Sequence, residues 1–114
     1  NKREEFTMLN YVWTSRQICT NPTKTITVFD AVMDEAKKVP VRVFVIDEKD
    51  KVLKISIFFQ CKENEITDTH ISWVLGDITE KIGYDPNVNK RMMHWVASYI
   101  DKAPDYLDNY FYQI

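Results

Sequence analysis

The stretch VRVFVIDEKDKVLKISIFF, residues 41–59, decides the fold. Two runs rich in β-branched and aromatic residues, 41–46 and 52–59, flank the charged segment 47–51. Runs of this composition read as strands, and a short polar break between them reads as a hairpin loop, although this one lacks the glycine such loops favour. Alternation sets Val41, Val43 and Val45 on one face with Leu53, Ile55, Ile57 and Phe59. The opposite face holds Arg42, Phe44, Ile46, Lys54, Ser56 and Phe58. That face is half apolar, which predicts cover on both sides of the sheet. An isolated two-stranded hairpin is marginal in water, so a third strand is expected, with the N-terminal segment as its obvious donor.

Before the hairpin, residues 27–39 read as a helix. Val28, Phe29, Val32, Ala36 and Val39 fall on one side at helical spacing, with Asp30, Asp34, Lys37 and Lys38 on the other. Thr27 followed three residues later by Asp30 resembles a capping box, and Pro40 stops the helix. Residues 14–25 read as a connection around the turn signal Asn21-Pro22. Residues 1–20 suit a helical stripe through Phe6, Leu9 and Trp13 and a strand almost as well, so 1–25 is left open.

Three helices are expected after the hairpin. In the first, 68–82, Ile71, Val74, Leu75, Ile78 and Ile82 form an apolar stripe, and Gly83 follows in the position glycine favours after a helix. Trp73 lies off that stripe, beside Asp77 and Glu80. The second, 89–101, places Met92, Met93, Val96 and Ile100 on its apolar face and ends at Ala103-Pro104. The third, within 105–114, has Leu107, Tyr110, Phe111 and Ile114 at i, i+3, i+4 and i+7. The expected fold is a single α+β domain over 1–114. A small antiparallel sheet is built on the central hairpin and packed by one preceding helix and about three following ones.

Composition narrows the function. The 114 residues carry 15 Lys and Arg against 17 Asp and Glu, a formal net charge of −2. A nucleic-acid binder usually carries a basic excess, so this balance runs against that class. Only two glycines, Gly76 and Gly83, are present, too few for a glycine-rich phosphate loop. Cys19, Cys61, His70 and His94 show no spacing that gathers metal ligands, so no metal and no cofactor is expected. Two cysteines are few for a secreted disulfide scaffold of this size; reduced thiols and a cytoplasmic location are expected. No apolar run reaches the length of a membrane span. The first residue is not Met, which suggests a trimmed or excised chain.

Three functional classes stay open. The first is a small binding or regulatory domain of the inhibitor, immunity or adaptor type, not an enzyme, acting on another protein. Trp73 with Asp77 and Glu80 is its candidate contact, because tryptophan is enriched among interface anchors. The second is a single-stranded nucleic-acid module using Arg42, Phe44, Lys54 and Phe58, a basic and aromatic sheet face on which bases can stack. The third is a thiol enzyme pairing Cys19 or Cys61 with His70 or His94. For each there is a plainer reading: Trp73 as core, the phenylalanines as core with snorkelling cations at their edge, and the thiols as packing groups.

Overall fold

In the computed structural model, which describes residues 11–34, 38–89 and 91–113, a five-stranded mixed sheet forms the body of an α+β domain. The strands are β1 (Thr14–Asn21), β2 (Lys24–Asp34), β3 (Lys38–Glu48), β4 (Leu53–Phe59) and β5 (Met93–Tyr99), and they lie side by side in chain order. The first four form an antiparallel meander, whereas β5 runs parallel to β4. A parallel pair needs a crossover. Residues 60–92 supply it, carrying α1 (Asp68–Lys81) and the single turn α2 (Pro86–Asn89). After β5 the chain makes a 3₁₀ turn (Pro104–Leu107) and a short helix, α3 (Asp108–Tyr112). No described helix is long and apolar enough to cross a membrane.

The central hairpin has the expected register: Val41 opposes Phe59, Val43 opposes Ile57 and Val45 opposes Ile55. The loop manages without glycine because Asp50 takes the left-handed conformation, with φ 64°, and Asp tolerates that region better than most residues. Pro40 sits inside β3 rather than ending a helix. Its carbonyl accepts the Gln60 N–H at 2.9 Å, and the return bond that proline cannot make falls just where β4 stops.

Three expectations change. Residues 27–39 do not form a helix: Lys24–Asp34 is a strand, paired along its whole length with β3, whose first residues are Lys38 and Val39. Both faces of β2 are buried, Ile26 and Val28 on one and Phe29, Ala31 and Met33 on the other. A strand covered on both sides loses its two-residue alternation, and what remains can imitate a helical stripe. Residues 14–25 are not a connection but β1 and the start of β2, joined at Pro22-Thr23, where Asn21 Oδ1 accepts the Thr23 N–H at 3.1 Å. Residues 89–101 are not a helix either, since Met93–Tyr99 is β5. The sheet is accordingly mixed, not purely antiparallel. The part of the N-terminal reading that concerns residues 1–10 lies outside the described residues.

The helix expected at 68–82 does form. Thr67 caps it in a reciprocal arrangement with His70, and Gly83, with φ 70°, ends it. The Gly83 and Tyr84 N–H groups donate to the Glu80 and Thr79 carbonyls, the paired bonds of a Schellman ending. On one face of the sheet, Val74 and Ile78 of α1 pack on Phe29, Val41, Val43, Ile55, Ile57 and Phe59. On the other, Phe111 of α3 closes a smaller cluster of Ile18, Ile26, Val28, Phe44 and Ile46. The sheet is thus the middle of three layers.

Candidate functional site

The two edges of the sheet differ in chemistry. Along β1 the leading residues Thr14, Ser15, Arg16 and Gln17 are polar and exposed. A bulge at Ile18 interrupts the register between Gln17 and Cys19, so Ile18 and Cys19 both turn to the α3 side. Arg16 is drawn over that face, its Nη2 donating to Asp108 Oδ2 at 2.8 Å. Polar side chains, a bulge and a charge are devices that keep an edge from pairing.

β5 has neither bulge nor formal charge, and its polar side chains are His94 and Ser98. From Met92 to Ile100 the sequence carries no Asp, Glu, Lys or Arg, and the register with β4 runs unbroken from Leu53–Met93 to Phe59–Tyr99. Leu53 N–H donates to Met92 O at 3.0 Å, and Ile100 N–H donates to Phe59 O at 2.9 Å. In a parallel ladder successive residues alternate sides. The even-numbered residues therefore turn their backbone groups toward β4, while Met93, Trp95, Ala97 and Tyr99 turn theirs outward. Among the described residues no strand pairs with that side. The edge also exposes apolar side chains: Met92 at 77 %, Val96 at 47 % and Trp95 at 42 %. Trp95 projects on the α1 face, and Val96 on the α3 face.

Behind Val96 a groove of about 400 Å³ separates β4 and β5 from α3, lined in part by Lys54, Phe58, Ser98 and Tyr110. The groove exists because the C-terminal segment is fastened over the other half of that face. Arg42, 7 % exposed, makes paired bonds to Asp30, Nε to Oδ1 at 2.6 Å and Nη2 to Oδ2 at 3.1 Å. Its Nη1 donates to Asp108 Oδ1 at 2.9 Å, and its Nη2 lies 3.0 Å from Asp105 Oδ1. Burial alone pulls the guanidinium pKa down. The hydrogen bond and charge of Asp30, with the charge of Asp108 and the hydrogen bond of Asp105, outweigh it and hold the pKa above its ordinary value. Phe111 lies stacked on Phe44, with ring centroids 3.8 Å apart.

These contacts place the residues singled out for stacking bases. Phe44 is fully buried beneath Phe111, and Arg42 is engaged by three carboxylates. Phe58 is half-buried edge-on to both phenylalanines, which leaves Lys54 as the exposed member of the four. On α1, Trp73 is half-buried with the His70 ring edge-on at 5.5 Å. Asp77 accepts the Trp13 indole N–H at 3.0 Å, tying the segment before β1 to the helix, and Glu80 is exposed. Cys19 packs in the α3-side cluster and Cys61 against the α1-side cluster, so the sheet stands between the two thiols. His70 Nδ1 accepts the Thr67 N–H as part of the helix cap. Among the described residues no three His, Cys, Asp or Glu side chains are placed to hold a metal ion.

Sequence reasoning missed the β5 edge. Its signals are present: alternation of Met93, Trp95, Ala97 and Tyr99 against His94 and Ser98, broken only by Val96, and the absence of formal charge from 92 to 100. Compared with known protein families, curated proteins and solved structures, the chain matches none.

Proposed function

We propose that this chain is a small binding or regulatory domain that works by contact with protein, and that β5 is its contact strand. The observation behind this reading is the contrast between the edges. An uncharged, unbulged strand with outward backbone groups and an exposed tryptophan is a template for strand addition. A sheet whose opposite edge is blunted in three ways keeps such a template for use. The Trp73, Asp77 and Glu80 face of α1 is the weaker candidate, because Asp77 is already engaged by Trp13 and Trp73 is half-buried.

The test is a photo-crosslinking residue in place of Trp95 in the native host, with the same residue in place of Ser15 on β1 as control. A discrete protein adduct from position 95, competed away by excess unmodified chain and missing from position 15, is the expected result. Equal labelling from both positions, or none from position 95, overturns the reading.

A further inference from the structure

We propose that the occupant of the β5 edge is β5 of a second copy of this chain, paired antiparallel about a two-fold axis through Val96. This rests on the reading of β5 as the contact strand and adds the identity of the partner.

The backbone restricts the register first. In an antiparallel pair, opposed residues that bond exchange both their N–H and C=O groups. On β5 the outward groups belong to Met93, Trp95, Ala97 and Tyr99, so each must face another odd-numbered residue. Same-parity pairing also keeps side chains on matching faces, so the sheet continues across the axis with both α1 helices on one side. The ladder with β4 extends from Met92 O to Ile100 N–H, and Val96 is the middle of that span. Centring the axis there uses all of it. Met93 opposes the second copy's Tyr99, and Trp95 opposes its Ala97, giving about eight inter-strand hydrogen bonds.

The side chains suit this register. Trp95 meets a methyl group, large against small. Val96 meets Val96 at a non-bonded pair, where opposed side chains approach most closely. No like charges meet within the strand, because 92–100 has no formal charge. Just beyond it, Arg91 is held within its own chain, paired with Asp47 at 2.8 Å and donating to the Glu48 and Lys51 carbonyls, so it brings no unpaired charge to the end of the pairing. Sliding by two residues either way shortens the pairing. A strand that is complementary to itself in hydrogen bonding and volume fits a closed two-fold interface.

The experiment is sedimentation of the full chain with Val96→Lys and Val96→Glu. Val96 is 47 % exposed, so both variants are expected to keep the fold, checked by circular dichroism. Wild type is expected to be dimeric at about 100 μM, and each variant alone roughly 100-fold weaker in association, since like charges opposed at an interface are strongly unfavourable. An equimolar mixture of the two restores the dimer if Val96 faces Val96. A measurement on the unmodified chain stands beside it: amide exchange at Met93, Trp95, Ala97 and Tyr99 slows as concentration rises, while His94, Val96 and Ser98 are protected throughout. A monomeric wild type, a dimer indifferent to Val96→Lys, or a mixture that stays monomeric overturns self-pairing. A wild type that is monomeric but still gives an adduct from position 95 to a different protein overturns only the identity of the partner. A monomer without an adduct removes the contact reading as well.

Discussion

The β1 and β5 edges belong to one sheet and are built from opposite materials. Around β1 the chain spends polar residues, a bulge and an arginine, and the C-terminal segment is fastened beside it through Arg16, Arg42 and Phe111. Around β5 it leaves tryptophan, valine and methionine facing solvent, and among the described residues no strand pairs with the outward backbone. Sheet edges are a hazard, and native proteins ordinarily blunt them. When one edge is blunted and the other is not, the difference locates the surface that the fold holds available.

The largest change should come from unfastening the guarded side. Phe111→Ala opens a space over Phe44, and urea unfolding should show a loss of about 4 kcal/mol, typical of removing a buried aromatic. Arg42→Met keeps the apolar stem and removes the charge. Deeply buried pairs cost more to break, but Asp30 and Asp105 reach solvent here, so a loss of about 2 kcal/mol is expected by the same measurement. Neither substitution touches β5, and association of copies should persist wherever the variant is folded.

The open side answers differently. Ala97→Pro removes an outward N–H while the β4 ladder, made by even-numbered residues, stays intact. Stability should fall by only about 1 kcal/mol, yet sedimentation should show dimer lost. The reverse experiment on β1 is quieter. Arg16→Val deletes one partly exposed ion pair, worth at most about 0.5 kcal/mol, and should leave the oligomeric state unchanged because the bulge still interrupts the edge. The smallest effect is confined to alkaline pH. Burial, then the charges of Glu63, Cys61 and Asp68, push the Tyr99 phenol above its ordinary pKa of 10.0. The fold binds that proton more tightly than the unfolded chain does. Its contribution is therefore whole below pH 10 and declines as pH rises through the higher folded value. Thermal melts should show a steeper alkaline decline for wild type than for Tyr99→Phe.

How much of this was legible in the sequence depended on how each segment is covered. The 41–59 hairpin and the 68–81 helix were readable because each has a clear period and clear ends, Gly83 among them. β2 was not, because burial on both faces erased the alternation that marks a strand. β5 was misread for another reason: over the nine residues 92–100, Met92, Met93, Val96 and Ile100 satisfy a helical spacing by coincidence, and only β4 beside them decides the matter. The candidate site was missed with it. Trp73 drew attention as a tryptophan among polar neighbours, whereas Trp95 lay within the segment 89–101 that reads as a helix. Arg42 and Phe44 were correctly placed on one sheet face, but nothing in their spacing announced that Asp105, Asp108 and Phe111 would close over them.

The parallel seam between β4 and β5 has a consequence for how the molecule is made. The meander β1–β4 joins neighbours along the chain, whereas β5 must return across the whole crossover, and pairings between distant segments form late. Until β5 arrives, the β4 edge, with Leu53, Ile55, Ile57 and Phe59 along one side, faces solvent as an apolar, unguarded strand. Such edges are where folding intermediates stick to one another. Refolding yield should therefore fall as protein concentration rises. In pulse-labelled exchange, amides bridging β4 and β5 should be protected after those of the β2–β3 pair, and simultaneous protection would show that the seam closes with the meander.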